Sequence, residues 1–557
     1  MLQSEFQHVL HTNYAPTEAE AQKIKDYCLA PESEAQNLEL EASRLETALN
    51  AVRLKQDVYQ DAVTAHRALL SPIRRLSSEM LQTVFAFCIA EFPVMHASES
   101  PLLLGRVCKS WRDIVYDTAE LWSGVHVVIP SGMYQLLRRE ALREWIARSK
   151  DYPLRISFYA DHTSCEIEKF LDLIVPHKPR WEQITFTIPT NRFNQLADSF
   201  SDINDLPHLR SFSLSTPRPL LYTSTFGLPP VSPDSINPLR LLEVCTSLNR
   251  VSVHVIRPPH RSTLPSSIAG SLQELDVDYQ AIFGFDLNEL FNFIASCKNL
   301  RISRIRSSFK SVTATQPSSF ITLPALEYLS ADMHTAGFLV DPTPGPVECP
   351  ALVFVDHLVT PKLLHLDLKN VLYVEDVSLR LVNLFSRSSC SLRSLSLRLM
   401  DNKHNLQPLL SFLEYATDIT ELRVESWKTD PASIDVLSTP RREPDAFLLG
   451  LAYTDTSTNY CPNLTRLILG AYSMGIDVDS LMTLVRSRLN PPPGCSRLQT
   501  LDLRGLSPPR VLSELKSFEA SLLMKELCAQ GLTILLPECK DPPGLSLWTG
   551  LVPWDSD

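Results

Sequence analysis

Residue types able to do covalent chemistry are present, but their spacing spells out no reactive site. Twelve cysteines lie in 557 residues with no C-x-x-C pair, so neither a thiolate zinc cage nor a dithiol redox couple is written into the chain. There is no H-E-x-x-H to hold a catalytic zinc and no G-x-S-x-G to raise a nucleophilic serine. No G-x-G-x-x-G occurs either. The nearest phosphate-loop spacing runs from Gly470 to Gly475, where Ile476 and Asp477 stand in place of the lysine and hydroxyl residue that phosphate and magnesium need. The chain has 41 prolines and only 16 glycines, the reverse of average usage at about 5% and 7%. Backbone that must approach a phosphate closely needs glycine. The expectation is therefore no catalytic residue, no cofactor, no metal, and a protein that is not an enzyme.

The charge balance, 52 basic against 63 acidic residues and a net −11, argues against a nucleic-acid surface, which would be basic. No apolar run approaches the roughly 18 residues of a spanning helix, so no membrane partner is expected. Met1 to Tyr14 is polar and has no charged start followed by an apolar stretch. A cytoplasmic or nuclear protein, not a secreted one, is the expectation.

What the sequence offers instead is apolar faces for docking. Leu76, Met80, Leu81, Val84 and Phe85 share one helical face, with Glu79 and Cys88 beside it. After a gap, Leu102 to Leu104 precede a second stripe at Val107, Cys108, Trp111 and Val115, and Leu121-Trp122 follows. By spacing alone this is a small helical domain, and its apolar residues also fit a role in the protein's own core. About 50 residues rarely close a core unaided.

These residues resemble an F-box of the fungal type. The family pattern, approximately L-P-x-E-[LIM]-L, then V-C-[KR]-x-W-[RK]-x-[IL], then L-W, is matched by Leu76-Ser77-Ser78-Glu79-Met80-Leu81, by Val107-Cys108-Lys109-Ser110-Trp111-Arg112-Asp113-Ile114, and by Leu121-Trp122. Ser77 replaces the usual proline, and Glu91 to Pro101 is longer than the usual loop. The resemblance implies a three-helix F-box domain over 71–125 that binds the Skp adaptor of a cullin-scaffolded ubiquitin ligase. The adaptor contacts it implies are Leu76, Glu79, Met80, Leu81, Val84, Leu104, Val107, Cys108, Trp111, Leu121 and Trp122. Trp111 is the expected anchor, since buried tryptophan is frequent at interface hot spots.

Two kinds of element must position these residues. Upstream, residues 32–70 lie between Pro31 and Pro72 with no Gly or Pro, which allows one long helix. Leu38, Leu45, Val52, Tyr59 and His66 recur every seven residues, and Ala42, Leu49, Gln56, Val63 and Leu70 form the second seam. This heptad pattern suits either a coiled coil joining two copies, hence a homodimer through 32–70, or an amphipathic helix packed on its own protein. Residues 1–31 are an N-terminal segment.

Downstream, a helical face at Leu137, Ala141, Leu142, Trp145 and Ile146 precedes a strand-like alternation at Leu154, Ile156 and Phe158. Copies of L-x-x-L-x-L then recur from Trp181-Ile184-Phe186 through Leu209-Phe212-Leu214, Leu248-Val251-Val253, Leu272-Leu275-Val277, a degenerate copy at Leu300, Leu326-Leu329-Ala331, Leu363-Leu366-Leu368, Leu392-Leu395-Leu397, Ile419-Leu422-Val424 and Leu464-Leu467-Leu469 to Leu498-Leu501-Leu503. Helical faces alternate with them at Leu287 to Ile294, Val377 to Phe385, Leu406 to Leu413 and Val478 to Leu489. Strand then helix, repeated, buries a continuous core between stacked units. The expected class is α/β: N-terminal helices and an F-box, then an irregular leucine-rich-repeat solenoid over 126–536 and a tail, 537–557, whose Trp548 and Trp554 could cap it.

Smaller signals fit this frame. Cys245, Cys297, Cys349, Cys390, Cys461 and Cys495 each precede a repeat leucine, as small buried thiols between turns would. Pro207, Pro324, Pro350, Pro361 and Pro462 stand two residues before a leucine, where no ladder donor is needed. Leu352 reads as the start of a further strand-like run. Proline clusters at Pro217 to Pro238, Asp341 to Pro350, Thr429 to Asp445 and Pro491 to Pro493 mark protruding loops. The expected function is the substrate-recognition subunit of a Skp–cullin–F-box ubiquitin ligase, with an unknown protein target on the repeats. The alternative is a leucine-rich-repeat interaction scaffold acting outside ubiquitin transfer.

Overall fold

The structure is a computed structural model. It describes residues 4–129, 135–160, 167–189, 206–217, 245, 247–255, 266–279, 287–309, 319–335, 349–371, 374–399, 406–426, 445–453, 459–471, 478–504 and 522–535. Gly475, most of the first three proline clusters, and the tail with Trp548 and Trp554 lie outside the described residues. The chain divides into two compact units after Thr83, inside the segment expected to form one F-box domain.

The first unit is dominated by helix α1, Glu18–Leu69. The expected start after Pro31 is corrected: the helix begins at Glu18 and carries Pro31 inside it. The N-terminus explains why. The Glu20 carboxylate accepts from the Thr17 N–H at 2.9 Å and from its hydroxyl at 2.6 Å, and Ala19, Ala21, Gln22 and Lys23 are strong helix formers. One proline removes one hydrogen bond from a helix of 52 residues, and the rest of the ladder holds it. No residue of α1 is buried. After a 3-10 turn at Pro72–Arg75, helix α2 spans Ser78–Phe87. Ser77, where the family pattern has proline, caps it: its Oγ accepts from the Met80 N–H at 3.4 Å.

In the second unit, the chain beyond α2 reaches a 3-10 turn at Leu104–Arg106, helix α3 at Lys109–Asp117, and a 3-10 turn at Ala119–Trp122. Of the three helices expected over 71–125, two are α-helices, α2 and α3; the other helical pieces there are separate 3-10 turns. The long loop is anchored rather than loose. Val94 bridges His126 in strand β1, Gly124–Val128, and the His126 N–H donates to Pro93 O at 2.8 Å. Gly124 permits that approach, because a Cβ there would sit 2.8 Å from Glu91 O.

Helix α4, Gln135–Arg148, leads to β2, Leu154–Tyr159; helix α5, Ile167–Ile174, leads to β3, Trp181–Thr187. The expected face of α4 is partly corrected: Leu137 and Ala141 are exposed, and Gln135, Leu142, Trp145 and Ile146 are buried. Strands β4 (Ser211–Ser215), β5 (Arg250–Val255), β6 (Glu274–Tyr279), β7 (Ile302–Phe309), β8 (Ile321–Thr322), β9 (Tyr328–Thr335), β10 (Leu358–Val359), β11 (His365–Val371), β12 (Ser394–Leu399), β13 (Glu421–Ser426), β14 (Arg466–Ala471), β15 (Thr500–Asp502) and β16 (Thr533–Leu535) follow. All but β8 and β10, which pair with each other, form one sheet, every pairing parallel and every strand beside its neighbour in sequence.

Parallel neighbours need crossovers, and the segments between the strands supply them, several as helices. One leucine row then runs in register from β3 to β15; the register shifts lie outside it, between Leu154 and Arg155 on β2 and between Leu368 and Val371 on β11. Ile184, Phe212, Val251, Leu275, Ser303, Leu329, Leu366, Leu395, Leu422, Leu467 and Leu501 are matched strand to strand, and all are buried. Ser303 is the polar break in that row, at the copy that looked degenerate in the sequence.

One reading fails here. The Leu352 run is a helix, Pro350–Asp356, buried from Pro350 to Val355. A short apolar run has no period to tell strand from helix, and proline in a first helical turn costs nothing. Cys245, Cys297, Cys349, Cys390 and Cys461 are buried; Cys495 is half-buried.

Candidate functional site

The residues expected to hold an adaptor separate into outward and inward groups. In the first unit, Leu76, Glu79 and Met80 are exposed and Leu81 is buried. A hydrogen bond from the Ser77 side chain holds the Glu79 carboxyl below its usual range.

In the second unit, Phe85 is fully buried with its ring centroid 4.8 Å from that of Trp111. That contact fixes the end of α2 against α3 and leaves Val84 at 38% exposure and Phe87 at 89%. The Cys108 sulfur caps α3, accepting from the Trp111 N–H at 3.5 Å. Cys108 is exposed, Trp111 half-buried and Leu104 buried. Val107, just before the cap, is 58% exposed.

Leu121 and Trp122 face inward. Trp122 Nε1 donates to Val115 O at 2.8 Å, its ring meets Trp145 edge-on at 4.8 Å, and the Arg148 guanidinium lies over it at 4.7 Å. They support the helices from the core. Phe87 is an exposed apolar residue that the spacing did not single out, and Leu103, part of the leucine run but not among the expected contacts, is exposed too; an apolar residue just past a helical stripe was the available signal.

The second surface is the polar face of the sheet. Its side chains stand at the x positions of L-x-x-L-x-L and at the position just after the motif, which the leucine pattern left unread. Column by column the charges alternate: Asp276 and Asp278 on β6 stand beside Arg304 and Arg306 on β7, and Asp332 on β9 stands beside Arg306. Arg306 donates to Asp332 at 2.9 Å and to Asp278 at 3.1 Å. Arg250 pairs with Glu274 at 2.7 Å, Arg301 with Glu327 at 3.0 Å, and Glu425 receives both Arg398 and Arg423. Burial pushes Asp278 above the usual carboxylate range, although Arg306 and His254 oppose it. Burial also raises Asp502, but Arg504 and Arg466 prevail and hold it low. A face of fixed, alternating charge can recognise a protein surface by electrostatic complementarity.

Burial lifts the thiols of Cys245 and Cys390 to about 11 and those of Cys297 and Cys461 to about 12. These are protonated packing groups, poor as nucleophiles. Among the described residues no group of three or more His, Cys, Asp or Glu is placed to hold a metal ion, and no helix is long and apolar enough to cross a membrane. Neither the family models nor the curated proteins compared with this chain give a match.

Proposed function

We propose that this chain is the substrate-recognition subunit of a Skp–cullin–F-box type ubiquitin ligase. The F-box-like segment binds the Skp adaptor, and through it the cullin scaffold, while the repeats hold a target protein. The observation that carries the reading lies in the second unit. Phe85 and Trp111 close a small core between α2 and α3, yet Val84, Phe87 and Val107 remain exposed beside it. An apolar face left open by its own core suits a partner surface. The sequence-ordered parallel strands, most of them opened by a buried leucine, support an irregular leucine-rich-repeat solenoid, whose polar face would select the target. Such a receptor does no covalent chemistry; it holds a target lysine near a charged conjugating enzyme, so catalysis is by proximity.

Co-purification of the full chain with the Skp adaptor tests this. Phe87→Asp and Val107→Asp, at exposed positions that leave Phe85 and Trp111 in place, are expected to abolish the association. A chain that never associates, or variants that bind as the parent does, overturn the reading.

A further inference from the structure

Along α1, Leu38, Leu45, Leu49, Val52, Tyr59 and Val63 are all exposed. We propose that this helix pairs with α1 of a second copy of this chain in an antiparallel two-helix coiled coil. The inference is independent of the adaptor reading.

The heptad frame has Leu38, Leu45, Val52, Tyr59 and His66 at d, and Ala42, Leu49, Gln56 and Val63 at a. The flanking e and g positions decide the orientation. In a parallel pair each g residue faces the e residue five places on in the other helix. Glu34 would then meet Glu39, and Glu41 would meet Glu46. Like charges would oppose each other through the N-terminal half of the seam, on both sides of the dimer.

An antiparallel pair instead sets e against e and g against g. With Leu49 opposite Val52 of the second copy, Leu38 meets Val63 and the small Ala42 meets the large Tyr59. In that register Glu46 faces Arg53 and Glu32 faces Arg67, each pair occurring twice by symmetry. The g positions, Glu41 against Ala62 and Ala48 against Lys55, carry no like-charge pair. Glu32, Glu46, Arg53 and Arg67 are exposed and have no ion-pair partner among the described residues of their own chain. Moving the register by one heptad in either direction sets Arg53 against Arg53 or Glu46 against Glu46. Those shifts also set Glu39 against Arg67 or Arg53, so charge selects the antiparallel orientation outright and favours this register as the one of the three with no like-charge pair; the contact is isologous, as a two-fold homodimer requires.

Sedimentation equilibrium of the full chain tests this. The expected mass is twice the 62.7 kDa of one chain, and Leu49→Asp, at an exposed site, should return it to a monomer. Glu46→Arg separates the orientations. It weakens an antiparallel dimer by about tenfold, with two attractive pairs becoming repulsive, and Glu46→Arg with Arg53→Glu restores the affinity. A parallel dimer is tightened by Glu46→Arg. A monomer at micromolar concentration, or a Glu46→Arg chain that dimerises as well as the parent or better, overturns the proposal. Adaptor binding by Phe87→Asp is a separate measurement that neither outcome affects.

Discussion

The guanidinium of Arg488 lies 4.3 Å from the ring centroid of Tyr453 and donates to its hydroxyl at 3.0 Å. Arg488 is fully buried. Its other donors reach only backbone carbonyls: Leu451 at 2.8 Å, Cys461 at 2.9 Å and Tyr460 at 2.6 Å. One planar cation thus fastens the chain on either side of 454–458 to the Val478–Leu489 helix. Arg488→Met takes the side-chain donor from Leu451 O and Tyr460 O, at about 1–3 kcal/mol for each group left unpaired, while Cys461 O keeps the Leu464 N–H at 3.1 Å. We expect a loss of about 2 kcal/mol or more in urea unfolding, two groups at the lower of those values. Arg488→Lys should recover little, because a point ammonium cannot fill the planar fork; full recovery by lysine would show that charge alone matters.

Ser303 should be improvable. It sits between Leu275 and Leu329 in the leucine row, and its hydroxyl is buried without a hydrogen bond. Ser303→Ala removes an unsatisfied polar group, which is expected to raise stability by about 1 kcal/mol. A lower melting temperature in the variant would mean that the hydroxyl is satisfied in solution.

Asp278 and Asp502 should respond to acid with opposite signs. Asp278 titrates above its unfolded value because of burial. Its charge is a cost at neutral pH, relieved as pH falls through the raised pKa toward the unfolded value near 4. Asp502 titrates below its unfolded value. Its contribution is complete above pH about 4 and is lost as pH falls through the lowered pKa. The parent should therefore gain on Asp278→Asn between pH 7 and 4, and lose its lead over Asp502→Asn only below about pH 4. Parallel pH profiles for the two variants would sink the assignment.

Thiol labelling should separate two cysteine classes. In the native protein a maleimide is expected to modify the exposed Cys88, Cys108 and Cys528 rapidly. Cys245, Cys297, Cys390 and Cys461, buried and protonated, should react only after unfolding. Mapping the modified peptides by mass spectrometry checks this, and fast labelling at Cys461 would count against the packing between β13 and β14.

What could be read in the sequence was local and periodic. The spacing Leu363-Leu366-Leu368 and its counterparts placed strands β3 to β7, β9 and β11 to β15, because a strand with one buried face repeats every two residues. Heptads marked α1, but its start was obscured by Pro31. A residue propensity acts locally, whereas a long hydrogen-bonded ladder tolerates one gap. The Leu352 run had no period at all, so only its buried surroundings made it helical.

The sequence by itself determined which positions are apolar, how often they recur, and hence that strands and helices alternate along the chain. Only the tertiary structure decided which apolar residues close the core and which stay outside. It put Trp122 within and Phe87 without, although both are large aromatics in the same segment. It also decided that Arg488 is buried and that Asp278 stands against Arg306. Burial and pairing depend on neighbours distant in sequence, and no local pattern of residue types encodes them.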